Sequence, residues 1–330
     1  MKNKPLVLII SLAILIVLSA CGQTSGSEKP EASPTPSASP TAGSSAPAAD
    51  AGSSSSAAAD EILKNNPNAK IASISIHITN NLLALGITPV GSVVGGDVKD
   101  FLPHVKDRLA GAAKLGVVTD PDMEAILSLK PDVIFIDSVY SGKDRAKFEQ
   151  IAPIIAIDMD AGTWRDHLQT IAGHVGHEAQ AEAFIKNYDD KAAKVSKLIH
   201  SELGEGAKVM AIRSTAKELR VMGIKRPVGP IMFDDLALKP ANGVEKIDKA
   251  FEVISQEVLP DFDADAIFVI ISKGNEAMNN YTSLEKSALW SNLKAVKNRH
   301  VYVLDGQTWL DYSSIGQDFA LDDAERLFKK

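Results

Sequence analysis

The sequence predicts an α/β protein of two lobes, each with a mainly parallel sheet, joined by one long backbone helix. Three observations predict it. From Ile71 onward, short and nearly continuous apolar runs alternate with amphipathic helical patterns, which is how a parallel sheet covered on both faces reads. The alternation stops over 166–203 and resumes after it. Within that break, 178–203 runs without Gly or Pro for about 39 Å of helix. So long a helix inside a small α/β unit suits a strut between two lobes.

The elements follow in order. In the first lobe, 61–165, Ile71-Ala-Ser-Ile-Ser-Ile76 reads as a strand and Thr79 to Leu85 as a helix. Strand Pro89-Val-Gly-Ser-Val-Val94 comes next. Met123 to Leu129 carries apolar residues at helical spacing before strand Pro131-Asp-Val-Ile-Phe-Ile-Asp137. Phe148 leads to strand Pro153-Ile-Ile-Ala-Ile157. In the interlobe segment, 166–203, Gly173 and Gly176 interrupt a first helix. The long helix follows, with Ala179, Ala183, Ile185 (or Phe184), Tyr188, Ala192, Val195 and Leu198 on one stripe. In the second lobe, 204–330, strands are predicted at Lys208 to Arg213, Leu219 to Met222, Asp265 to Ile271 and Val301 to Leu304. Helices are predicted at Pro227 to Leu236 and Leu321 to Phe328. Each lobe has an ordinary domain size.

The first 20 residues form a different kind of segment. Lys2 and Lys4 precede an apolar run from Leu6 to Leu18, and Leu18-Ser19-Ala20-Cys21 ends it. A basic start, a short apolar stretch and small residues make a secretory signal. The run is shorter than the ~20 residues of a spanning helix. The four-residue stretch resembles the bacterial lipobox, which implies cleavage before Cys21 and its acylation. The expected location is the extracytoplasmic face of the cell membrane, held there by lipid. Residues 21–60 then form a linker. Gly22 to Ala59 is almost wholly Ser, Ala, Pro, Gly and Thr, too poor in large apolar groups to build a core, so disorder and a span of about 35 Å are expected.

Charge narrows the partners. The chain carries net charge −7, and loss of Lys2 and Lys4 leaves 33 of the 35 basic residues against 42 acidic ones, or −9. That argues against nucleic acid and against electrostatic binding to anionic lipid. Cys21 is the one cysteine, so the exported part has neither a disulfide nor a cysteine metal site.

The folded part resembles the solute-binding proteins of ABC importers, specifically the helical-hinge class that captures iron–siderophore complexes, haem and cobalamin. The resemblance runs from Ile71 to Phe328. It is carried by Leu82-Leu-Ala-Leu-Gly-Ile-Thr-Pro-Val-Gly91, by Leu115-Gly116 with Pro121-Asp-Met-Glu-Ala-Ile-Leu-Ser-Leu-Lys-Pro-Asp-Val-Ile134, and by Phe148-Glu-Gln-Ile-Ala-Pro153. In the second lobe it rests on Ile254-Ser-Gln-Glu-Val-Leu-Pro260, Asp263-Ala-Asp265 and Trp290-Ser-Asn-Leu-Lys-Ala-Val-Lys297, continuing to Val301-Tyr302. It implies a monomer that catalyses nothing, takes a ferric siderophore between its lobes with little lobe closure, and presents it to an ABC transporter permease.

A ferric siderophore brings its own oxygen cage for the iron, so no cofactor and no protein metal ligand are expected. The pocket must supply cations and aromatic surface, at the carboxyl ends of the strands. The resemblance implies Arg213 and Arg220 as ligand contacts and Trp309 as a cleft tryptophan. Tyr312 lies three residues on, Tyr140 follows a strand end, and Trp164 is placed either to face the cleft or to anchor the helix that follows. Tyr281 is weaker. Lys143, Arg145, Lys225 and Arg226 read as surface charges. Two arginines with a tryptophan and tyrosines favour a hydroxamate or citrate-type ligand. The resemblance also implies one docking glutamate per lobe. Glu257 matches the second-lobe position. The first-lobe position aligns with Asn80, with Asp97 and Asp100 as nearby replacements.

Other chemistries are poorly supported. His174 and His177 are three apart beside two glycines and read as surface histidines. His77 and His104 are too few for a zinc or manganese site. Haem remains an alternative ligand with Tyr140 or His77 as axial group, and cobalamin another. Gly91-Ser-Val-Val-Gly-Gly96 is not a dinucleotide loop, and neither a Gly-x-Ser-x-Gly elbow nor a Walker loop occurs. A secreted surface enzyme is therefore the remote alternative.

Overall fold

The structure is a computed structural model that describes residues 49–96 and 98–329, with side chains from 54 onward. Cys21, the expected signal and Asp97 lie outside the described residues. Chain order is α1 (Ala49–Asn65), β1 (Ile71–Ser73), α2 (Ile76–Ala84), β2 (Gly91–Val94), β3 (Ala113–Val117), β4 (Asp120–Pro121), α3 (Met123–Leu129), β5 (Val133–Asp137), α4 (Arg145–Glu149) and β6 (Ile154–Ile157). Two helices, α5 (Trp164–Val175) and α6 (Glu178–Leu203), lead to β7 (Lys208–Ser214), β8 (Leu219–Met222), β9 (Lys239–Pro240), β10 (Phe251–Ile254) and β11 (Ala266–Ile271). Last come α7 (Asn275–Glu285), α8 (Ala288–Asn292), α9 (Lys294–Lys297), β12 (Val301–Leu304), α10 (Gly306–Trp309) and α11 (Ser314–Phe328).

The two sheets bear out the predicted class. The first has the order β4-β3-β2-β1-β5-β6, parallel except for β4. The second runs β10-β8-β7-β11-β12, with β9 beside β7. There β8 lies antiparallel to both β7 and β10, so β10 points the same way as β7. The two lobes repeat a local device. Asp132 Oδ2 accepts from Lys70 N–H (2.7 Å) just before β1, and Asp265 Oδ2 accepts from Lys208 N–H (2.8 Å) at the start of β7.

The linker expectation is corrected at its end. Ala49 to Ala59 is helical rather than disordered, because Ala and Ser fit a helix that only has to lie flat on the first sheet. Ala59 is fully buried, Ser55 Oγ accepts from Ile154 N–H (3.0 Å), and Asp60 bonds His174 (2.6 Å). The glycine reading is corrected too. Helix α5 continues through Gly173 and ends at Gly176, which takes the left-handed conformation (φ 69°). His174 and His177 are not free surface groups, since His177 Nδ1–H donates to Leu85 O (2.9 Å). The stretch Pro227 to Leu236 holds only a short π-helical run, Pro230–Asp235.

Helix α6 has the predicted bounds, but its buried stripe is Ala181, Tyr188, Ala192, Val195 and Ile199. It does not join the lobes alone. α11 packs on α2, α5 and α6, so the last helix touches both halves. Lys191 of α6 pairs with Asp318 and Asp322 of α11 (both 2.7 Å). Tyr188 O–H donates to Asp235 Oδ2 (2.7 Å), and Arg165 bonds the same carboxylate (3.0 Å). One apolar core runs from Phe135 and Tyr188 through Val209 and Phe268 to Trp309.

The first turn of α11 approaches the preceding loop closely at Gly316. A Cβ there would lie 2.1 Å from Asp311 O and 2.5 Å from Asp311 Cγ. Gly316→Ala is expected to cost about 1–3 kcal/mol, read from the urea midpoint. Gly173→Ala, where a Cβ meets nothing within 4 Å, is expected to gain about 0.5–1 kcal/mol.

Candidate functional site

The carboxyl ends of β1, β2, β7, β11 and β12 converge on a cavity of about 320 Å³ between the lobes. His77, at the start of α2, lines it from the first lobe, and Arg213, Lys273, Gln307 and Asp311 line it from the second. A wider cavity of about 730 Å³ shares Arg213, Ser272 and Lys273 with it and adds Lys217, Glu218 and Arg220. The two make one continuous recess.

Arg213 and Arg220 are brought together as the residues anticipated. They are directly opposed across the β7–β8 ladder, so both side chains stand on one face. Arg213 Nε–H donates to Ser272 Oγ (2.9 Å). Arg220 is bound by Glu218 (2.6 Å), and its guanidinium lies 3.9 Å from the centre of the Phe251 ring. Lys217 and Lys273 add cations that sequence reasoning did not single out. All four belong to the second lobe. The first-lobe wall of the smaller cavity is Ile76, His77, Gly95, Gly96, Val98 and Leu102.

The aromatic candidates divide. Tyr140 is half exposed (52%) beyond the end of β5, where Asp137 Oδ1 accepts from the backbone of Val139 (2.9 Å) and Tyr140 (3.4 Å). Tyr312 stacks on His77 with ring centres 3.7 Å apart. Burial pushes its phenol well above the usual range, with Arg226 opposing. Trp309 is corrected. Asp305 caps α10 and turns the chain so that the indole is fully buried, donating from Nε1 to Asp323 Oδ2 (2.9 Å). Of the two places expected for Trp164 the structure shows the second: it anchors α5, edge-on to Tyr188 (4.6 Å) and Phe184 (6.2 Å). Trp164 also lines a cavity of about 180 Å³ with Arg226 and Tyr312. Tyr281 is buried against Trp290.

Besides Lys217 and Lys273, two residues at the lobe junction were missed. Arg226, read as a surface charge, reaches across the lobes. It donates to Met159 O and to Asp160 (2.8 Å) and covers Tyr312 at 4.7 Å. Asp311 is buried, and its carboxylate gathers four donors. They are His77 Nδ1 (3.2 Å), His104 Nε2 (2.9 Å), Asn80 Nδ2 (2.6 Å) and Ser313 N–H (3.0 Å). The side-chain partners lie more than 200 residues away, so no local pattern announces them. Burial works against the charged form, but the hydrogen bonds from His104 and His77 prevail and hold this carboxyl well below the usual range. Asn80 is therefore committed inside the protein and unavailable as a surface group. Among the described residues no group of three or more His, Cys, Asp or Glu is arranged to hold a metal ion. None of the described helices is long and apolar enough to cross a membrane.

Two lobes of mainly parallel strands, meeting at a recess with cations on one side, have the architecture of a two-lobed periplasmic binding protein. The family model for periplasmic binding proteins matches residues 71–308, and the chain belongs to that family. A probable siderophore-binding lipoprotein of Bacillus subtilis is 29% identical over 340 residues, covering 100% of this chain and 99% of the relative. The Staphylococcus aureus protein SirA, solved with staphyloferrin B, is 27% identical over 78% of this chain and 91% of its own, with TM-score 0.68. The solved iron-uptake system-binding protein of Bacillus subtilis is 25% identical over 80% and 95%, with TM-score 0.69.

The depressed Asp311 carboxyl fixes a sign. Its stabilising contribution is present above the unfolded carboxylate value of about 4 and falls away as pH drops toward the folded one. Asp311→Asn is expected to cost about 1–3 kcal/mol at neutral pH and to flatten the decline of stability below about pH 4, measured by urea unfolding across that range.

Proposed function

We propose that this protein is a lipid-anchored receptor on the extracytoplasmic face of the membrane. In this reading it captures a ferric siderophore as a monomer and hands it to an ABC importer permease, without catalysing a reaction. The observation that carries the reading is the cationic recess, in which Arg213 and Arg220 share a face beside Lys217 and Lys273. Such a wall suits an anionic metal chelate. Four cations favour the carboxylate, citrate-type end of the hydroxamate-to-citrate range. The siderophore-binding relatives described above support iron chelates as the class. Iron enters as part of the ligand, and Cys21 carries the acyl anchor.

Delivery needs an exposed group on each lobe, and the internal repeat suggests the pair. Glu257 precedes Asp265 by eight residues, and Glu124 precedes Asp132 by the same interval. Both glutamates are exposed in the first turn of a short helical segment. Glu257 follows β10, which ends at the cleft end of its sheet, and Glu124 follows the β3–β4 hairpin at the cleft end of the other. Glu124, rather than Asn80, is the first-lobe partner in this proposal. Asp100 is engaged by Lys106 (2.7 Å) and Lys114 (2.9 Å).

Tryptophan quenching against citrate, hydroxamate and catecholate ferric chelates is expected to give a Kd below about 10 μM, or about 7 kcal/mol, for at least one. Haem binding in place of all three overturns the reading. Arg213→Ala is expected to weaken an anionic chelate by about 10–100-fold and a neutral one less. Equal losses would remove its assigned role. Reversing Glu124 or Glu257 to Arg is expected to abolish stimulation of the permease ATPase while leaving chelate affinity unchanged.

A further inference from the structure

His77 has a defined chemistry that the roles above do not use. The Asp311 carboxylate only accepts, so the ring nitrogen facing it, Nδ1 of His77, carries a hydrogen. Stacking on Tyr312 at 3.7 Å holds the ring plane. The nitrogen left over is Nε2, which forms no hydrogen bond among the described residues. The side chain keeps 23% of its surface open and lines the smaller cavity, with Arg213 and Lys273 on the opposite wall. In the neutral ring this Nε2 presents a lone pair. An anionic oxygen drawn in by Arg213 and Lys273 would meet that lone pair and be repelled. A proton on Nε2 turns the repulsion into a charge-assisted hydrogen bond. The resulting imidazolium then lies between the ligand oxygen and the Asp311 carboxylate.

We propose that His77 is the first lobe's contact for an anionic chelate, and that the chelate is bound together with one proton taken up from solvent at His77 Nε2. Asp311 is the positioning residue that sets the tautomer and the ring. The inference rests on the recess being the chelate site. His104 does not share the role. It is only 8% exposed, and its Nδ1 is buried without a partner. The other charged or titratable groups around His77 are Tyr312 beside it, His104 beyond Asp311 and Asp137 at the end of β5. His167 of α5 and Arg226 over Tyr312 complete the set with the two cavity cations. Asp137 is the competing proton acceptor, because burial pushes its carboxyl up.

The test is titration calorimetry of ferric citrate into the full chain, in buffers of different ionisation heat, between about pH 6 and pH 8, where histidine titrates. Wild type is expected to take up a fraction of a proton that rises with pH toward one. Its affinity then falls as pH rises, by up to about tenfold per unit. His77→Gln and His77→Asn are expected to remove the uptake and flatten the affinity profile. They are also expected to weaken ferric citrate about tenfold at the acid end and a neutral ferric trihydroxamate less. Comparing wild type with variant cancels protons released by the chelate itself. Asp311→Asn is expected to reduce the uptake with His77 in place, and unchanged uptake there overturns the positioning role. Uptake that survives both His77 variants, or that disappears in Asp137→Asn with His77 intact, overturns the proposal. So does binding without uptake in the wild type. If no ferric chelate binds at all, the reading of the recess fails instead.

Discussion

A single buried carboxylate organises the meeting of the two lobes. Asp311 sits on the chain returning from the second sheet, yet its side-chain partners His77, Asn80 and His104 all belong to the first lobe. A charge removed from water is tolerated only when its lone pairs are met. Four donors meet them here, and Ser314 adds bonds to Asn81 beside them. The start of α11 is thereby held in the first lobe, and α11 itself packs along α6. The interlobe connection is a pair of helices rather than a single strut. Each has its own polar ties.

The same carboxylate links architecture to chemistry. It orients His77, which stacks on Tyr312, which lies under Arg226, which reaches Asp160. The first-lobe wall of the smaller cavity carries little charge, while the cations stand on the second lobe. A chelate with its anionic groups gathered on one side would match that division. Opposing Arg213 and Arg220 on neighbouring strands costs repulsion in the empty protein, relieved for Arg220 by Glu218 and by the face of Phe251.

Much of this was legible in the chain because it depends on local pattern. Strands β1, β2, β5 and β6 and the bounds of α6 follow from apolar periodicity, whereas the Arg213–Arg220 pair is what the family resemblance implies. What was not legible depends on partners distant in sequence. Asp311 looks like one more loop aspartate until His77 and His104 are folded against it. Trp309 follows the last strand, as a cleft residue would, but a single capped turn at α10 rotates it into the core. Arg226 reads as a surface charge because Met159 and Asp160 belong to the other lobe. β4 and β9 have two residues each, β3 carries Lys114 and Gly116 among its five, and Glu252 and Val253 of β10 are exposed, so their own composition does not declare them.

Helix α1 has a consequence of a different kind. β6 is the outermost strand of its sheet, and such a rim offers unpaired backbone groups to any extended chain that passes. Ser55 accepts the amide hydrogen of Ile154, and the small side chains of α1 let the helix lie close over that border. A stretch whose composition suggests mere spacing thus acts as a cover. It closes part of that rim to an extended segment of another chain.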